Sequence, residues 1–123
     1  MLAGMAAYTR LVAWREAHEL ARAVSRAVKK FPREERFELT SQLRRAALSV
    51  PTNIVEGRAR FGVRDFLRFV RIAASSLAEV DYLLLYARDE GYLDPNEYAR
   101  FDDRCKRCSA LVSRLARSLQ SKV

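Results

Sequence analysis

Four long stretches of this chain repeat apolar residues at spacings of three and four, and only three short segments of turn chemistry separate them: Phe31-Pro32-Arg33, Gly57 to Gly62, and Gly91-Tyr92-Leu93-Asp94-Pro95. Nothing constrains the fold more. A spacing of three and four places apolar side chains on one face of an α-helix, whereas a strand would need strict alternation. Between residues 63 and 90 the row Phe66, Val70, Ala73, Leu77, Val80, Leu84 and Ala87 holds this rhythm for three heptads. The first stretch, about 10–30, carries Trp14, Ala17, Ala21, Val24 and Val28, with Thr9 in the N-cap position. The second, about 34–57, carries Leu39, Leu43, Ala47, Val50 and Ile54; Pro51 predicts a kink and Gly57 a C-terminal stop. The fourth, about 95–120, opens on Asp94-Pro95 and carries Tyr98, Phe101, Cys105, Cys108, Val112, Leu115 and Leu119.

Four amphipathic helices with short connections predict an all-α, up-down-up-down antiparallel four-helix bundle. Its 123 residues match one domain spanning residues 1–123, with 50% apolar residues to fill one core. Four glycines and three prolines are too few for the turns of an all-β fold. No apolar run approaches the roughly 20 residues that cross a bilayer. With two cysteines and no leader-like N-terminus, the expectation is a cytoplasmic protein without a membrane partner.

The third helix carries a second apolar row, Phe69, Ile72, Leu83 and Tyr86, with Ser76 and Glu79 as its polar members. Two readings stand. The helix is the most buried one of a monomer, or the row Phe69, Ile72, Glu79, Leu83 and Tyr86 meets another subunit, since a long exposed apolar stripe is a liability.

The charge is uneven. The chain carries 23 Lys and Arg against 15 Asp and Glu, for a net charge of +8. Residues 79–103 hold two basic and eight acidic side chains, and residues 104–123 hold six basic and no acidic ones. Threaded through an up-down bundle, this gathers Arg10, Arg15, Arg58, Arg60, Arg64, Arg68, Arg114, Arg117 and Lys122 at one end. The opposite end receives Asp89, Glu90, Asp94, Glu97, Asp102 and Asp103, tempered by Lys29, Lys30, Arg33 and Arg36. Arginine supplies 19 of the basic residues, and its planar fork pairs bidentately with phosphate. Arg64, Arg68 and Arg71 share a helix face, where like charges repel unless an anion neutralises them.

Catalytic and metal chemistry finds little support. Cys105-x-x-Cys108 supplies two soft ligands and His18 a third, while structural zinc needs four, so both cysteines read as core positions. Glu56 and Glu79 lack the Glu-x-x-His pairs of carboxylate-bridged metal bundles. Glu79 is expected to meet an arginine or a backbone amide, and His18 to be a partly buried structural residue. There is no glycine-rich phosphate loop and no triad-like set, so the expectation is a non-enzyme without cofactor or metal.

The middle third carries a distinctive text: Leu39-Thr40-Ser41-Gln42-Leu43-Arg44-Arg45-Ala46-Ala47, then Ser49-Val50-Pro51-Thr52-Asn53-Ile54-Val55-Glu56-Gly57, then Asp65-Phe66-Leu67-Arg68-Phe69 and Ser75-Ser76-Leu77-Ala78-Glu79. It resembles the bacterial 23S rRNA intervening-sequence protein family, also called four-helix bundle proteins, and Trp14, Phe31-Pro32 and Gly91-Tyr92 extend the likeness over most of the chain. The resemblance implies a cytosolic homo-oligomer, typically a pentamer. It also implies an association with RNA, or an accessory role of the kind played by basic pentameric proteins of diversity-generating retroelements, which engage nucleic acid and a reverse transcriptase. Motif matching carries over Arg44, Arg45, Asn53, Glu56, Gly57, Phe66, Arg68 and Glu79. Val63-Arg64 stands where a Ser or Thr often caps the third helix. The candidate nucleic-acid contacts are Arg44, Arg45, Arg58, Arg60, Arg64, Arg68, Arg71, Arg114 and Arg117. Two functions compete: RNA or DNA binding by an oligomeric accessory protein, and a scaffold that docks a protein partner and never meets nucleic acid.

Overall fold

The computed structural model describes Tyr8 and residues 11–123, so Thr9 and Arg10, expected to cap and open the first helix, lie outside the described residues. Within these, four α-helices follow one another: α1 Val12–Ala27, α2 Leu39–Arg58, α3 Val63–Asp89 and α4 Pro95–Gln120. Each packs against its neighbours in sequence, and α1 closes the ring against α4. The pairing is antiparallel: Ser49 meets Ser76 and Gln42 meets Glu79, so α2 and α3 run in opposite directions. Lys30 meets Glu97 and Glu16 meets Arg107, which does the same for α1 and α4. At 1.5 Å per residue, the 27 residues of α3 span about 40 Å.

The expected rows of α3 and α4 fill the core. Val70, Ala73, Leu77, Val80, Leu84 and Ala87 are buried from α3, and Phe101, Cys105, Cys108, Val112 and Leu119 from α4. On α1 the buried row is Ala13, Ala17, Leu20, Val24 and Ala27, rotated from the expected one. Trp14 is too large for the seam and lies at its rim, stacked on His18 with centroids 4.9 Å apart and edge-on to Tyr8 at the same distance.

The second helix begins later than its apolar spacing implied. The last turn of the first helix tightens into a 3-10 turn at Val28–Lys30, a second such turn covers Arg33–Glu35, and α2 starts only at Leu39. Extended backbone at Phe31 and Pro32 breaks the helix and turns Phe31 into the core, against Tyr92 at 5.6 Å. Tyr92 donates its hydroxyl to Glu35 Oε2 at 2.9 Å, and that carboxylate holds the phenol proton, pushing its pKa up to about 12.

Pro51 is buried inside α2 and does not end it. Two residues on, Asn53 Nδ2 donates to Ser49 O at 2.8 Å and to Ser49 Oγ at 2.9 Å, and Ser49 Oγ pairs with Ser76 Oγ of α3 at 2.8 Å. Helix α2 ends at Arg58, one residue past Gly57 and so close to the expected stop, but Gly57 does not take the left-handed backbone of a glycine cap. A Cβ at Gly57 would lie 2.7 Å from Phe69 Cβ and 2.9 Å from Phe66 Cδ1, so the glycine is what lets α2 and α3 close beside their connection.

The ends of α3 and α4 obey local chemistry. Gly91 takes φ +82°, with Tyr92 N–H on Ala87 O and Gly91 N–H on Arg88 O, a paired closure of the α3 C-terminus. Asp94 caps α4: its carboxylate accepts from Glu97 N at 2.8 Å, which holds the Asp94 pKa below the ordinary carboxylate value, and Glu97 reaches back to Asp94 N. Gly62 precedes α3 without any side-chain cap, as the Val63-Arg64 pair implied.

Candidate nucleic-acid interface

The α2–α3 connection is four residues long and brings arginines from both helices together. Arg58 closes α2, Arg60 lies in the connection, and Arg64, Arg68 and Arg71 follow on the first turns of α3. Phe69 organises two of them: the Arg60 guanidinium lies 4.9 Å from its ring centroid and that of Arg68 lies 4.6 Å away. The ring itself is buried, so it works as a fixed anchor for two cations. Arg71 is held from the other side, where it donates to the amide oxygen of Gln120 at the end of α4.

Arg64, Arg68 and Arg71 therefore converge on one groove of about 730 Å³ between α3 and the end of α4, which Leu67 and Ile72 also line. One acidic side chain, Asp65, lines it, paired with Arg68 at 3.6 Å on the surface. Tethering Arg68 and Arg71 lowers the side-chain entropy that a bound anion would otherwise have to freeze out. At the tip of the connection Phe61 is fully exposed, an aromatic face beside a row of guanidiniums. That combination can meet a phosphate backbone and an unpaired base together.

The other candidate arginines lie elsewhere. Arg114 and Arg117 are exposed on the last turns of α4 and do not line the groove. Arg44 and Arg45 lie on the opposite flank of α2, beside α1, in a groove with Arg36. The acidic end contains ion pairs, Lys30 with Glu97 at 2.7 Å and Arg88 with Asp89 at 3.0 Å.

The second row of α3 divides. Phe69 and Leu83 are buried within the single chain, so neither is a free contact for another subunit. Ile72, Glu79 and Tyr86, one heptad apart, remain at the surface, and Tyr82 joins them. Glu79 accepts from Gln42 Nε2 at 3.0 Å; the expected arginine or backbone amide is replaced by a side-chain amide of α2.

Three contributors escaped the sequence reading. Phe61 looked like a turn residue, although a Phe next to a glycine in an arginine-rich connection has no core to enter. Tyr82 falls outside both apolar rows. Gln120 has no sequence signal, because its role depends on where α4 ends beside α3.

Cys105 and Cys108 are buried and unpaired, and burial pushes both thiols up to about 12. His18 is half-buried against Trp14. No group of three or more metal-ligating side chains occurs among the described residues, and no helix there is long and apolar enough to cross a membrane.

The sequence model of the 23S rRNA-intervening sequence protein family matches residues 9–114. No curated protein matches the chain. The match spans most of the sequence and includes α1, α2, α3 and most of α4, and the chain belongs to that family.

Proposed function

We propose that this member of the family is a non-catalytic, oligomeric nucleic-acid-binding protein whose arginine-rich end takes backbone phosphates without reading base sequence. The convergence of Arg64, Arg68 and Arg71 on one groove carries this reading, because three guanidiniums share it with a single acidic side chain. Arg58 and Arg60 enlarge the same field, and the exposed Phe61 offers a base a stacking surface. The family's name associates it with the intervening sequences of 23S rRNA, which makes RNA the first ligand to test. Self-association through the exposed Ile72, Glu79, Tyr82 and Tyr86 face, in a pentamer as the resemblance implies, would repeat the groove and turn weak sites into a multivalent surface.

Fluorescence anisotropy with single-stranded RNA, structured RNA and duplex DNA tests the proposal. Binding is expected to weaken steeply between ~50 and ~200 mM salt. The variant Arg64→Gln/Arg68→Gln/Arg71→Gln should lose affinity equally across base sequences and show a shallower salt dependence. Absence of binding to all three ligands at low salt would remove the proposal. The exposed α3 face also favours a second reading, a scaffold for a protein partner. A stoichiometric partner that survives nuclease treatment, with no bound nucleic acid, would select it.

A further inference from the structure

The first connection was expected to temper an acidic end with a few cations, yet the fold builds a separate basic track there. One cavity of about 400 Å³ lies between α1 and α2, and a second of about 350 Å³ adjoins it along the same groove; Ser25, Arg36, Thr40 and Arg44 line both. Five cations border the combined track: Lys29, Arg33, Arg36, Arg44 and Arg45. No carboxylate lines either cavity, and among the described residues none of the five pairs with one. Glu35, in the same connection, is held away by the Tyr92 hydroxyl and by Leu39 N–H. The hydroxyls of Ser25, Thr40 and Ser41 add neutral donors between the charges.

Five like charges around one groove repel each other unless an anion neutralises them. Guanidiniums interleaved with hydroxyls match phosphate oxygens. From Thr40 to Leu48 the lining of α2 runs about 12 Å at 1.5 Å per residue, longer than one phosphate group. The track is open to solvent along its length, so a small free anion would be poorly enclosed, whereas a polymer can engage several cations at once.

We propose that the α1–α2 track is a second phosphate-binding site, separate from the Arg64–Arg68–Arg71 groove, that holds successive backbone phosphates of a nucleic-acid strand. The identity of the polymer rests on the function proposed above; the preference for phosphate rests on the track alone. All three residues to be changed are exposed, so the variant Arg36→Gln/Arg44→Gln/Arg45→Gln should fold, which circular dichroism and the urea midpoint would verify.

Anisotropy titration of single-stranded RNA across a salt series compares this variant with the α3 triple variant. The track variant should bind roughly tenfold or more weakly at low salt, and the slope of log affinity against log salt should become shallower by about 2. An unchanged affinity and slope, with loss confined to the α3 variant, would overturn the track and leave the proposed function standing. Loss confined to the track variant would support the track and remove the α3 groove. Inorganic triphosphate serves as the free-anion probe: if it binds the track tightly while RNA affinity ignores the track variant, the site takes a free polyphosphate and the strand assignment fails. Absence of RNA binding by the unaltered protein at low salt overturns the track, whereas the proposed function falls only if duplex DNA is not bound either.

Discussion

Gly57 shows how a single missing methyl group sets the geometry of the site. Replacing a helical glycine by alanine ordinarily gains roughly 0.5–1 kcal/mol. Here the new Cβ would meet Phe69 Cβ at 2.7 Å, and that atom sits at the root of its side chain and cannot swing aside. Overpacking of this kind costs typically 1–3 kcal/mol, so the clash outweighs the propensity gain. Gly57→Ala should lower the urea midpoint, with unchanged m, by a net loss of about 1 kcal/mol. It should also weaken phosphate binding, since Phe69 anchors Arg60 and Arg68. Cys105 and Cys108 give a test on the alkaline side. Burial raises both thiols from 9.0 to about 12, so above pH 9 the unfolded chain has released protons that the folded chain retains. Stability should therefore fall as pH rises from about 9 towards 12, and Cys105→Ala/Cys108→Ala should flatten that decline in pH-dependent urea melts. Native thiols should resist alkylation at neutral pH and react on unfolding.

At the scale of the helix, α3 and α4 were legible from one dimension of text because their apolar rows are long and their ends carry strong local chemistry. Asp94-Pro95 and Gly91 mark stops and starts that need no tertiary partner. The start of α2 was not legible: Glu34 to Glu38 have adequate helix propensity, and the contacts that accompany the 3-10 turns, Phe31 on Tyr92 and the Tyr92 hydroxyl on Glu35, are made across the fold. The site divides in the same way. The shared face of Arg64, Arg68 and Arg71 follows from helical spacing, but the anchoring by Phe69 and Gln120 requires knowing which elements meet. Of the two readings of the second row of α3, burial within the single chain fits Phe69 and Leu83, and only the exposed Ile72, Glu79 and Tyr86 are left for a subunit contact, because spacing ranks positions around a helix without fixing how far the neighbours wrap it. The oligomer test therefore belongs at the exposed positions. Ile72→Glu/Tyr86→Glu should leave the monomer fold intact and, if the exposed stripe is a subunit contact, convert a larger species into a smaller one by light scattering. Leu83→Glu should instead unfold the chain, since it places a carboxylate inside the hydrophobic core. An unaltered protein that scatters as a monomer would remove the interface.

For the molecule as a whole, the net charge of +8 includes two clusters of cations, the α2–α3 end and the α1–α2 track, in addition to the six cations that residues 104–123 add along and just past α4. Both clusters repel themselves in the free protein, and repulsion between exposed charges is screened over about 8–10 Å at physiological ionic strength. Salt also screens the attractive pairs, such as Lys106 with Asp102 at 2.8 Å and Arg107 with Glu16 at 3.2 Å. Exposed pairs of that kind contribute about 0–1 kcal/mol each, and they are scattered, whereas the like charges are clustered. Repulsion should win. The unfolding temperature of the protein alone should therefore rise as salt is added from very low ionic strength. Arg64→Gln/Arg68→Gln/Arg71→Gln should be more stable than the unaltered chain at low salt and respond less to salt, because part of the repulsion is gone. A flat or falling unfolding temperature would show that the scattered pairs dominate. The same clustering that destabilises the free bundle is then the reserve released when a polyanion binds, which ties the stability measurement to the binding one: variants that respond least to salt in melting should also be those that bind RNA most weakly.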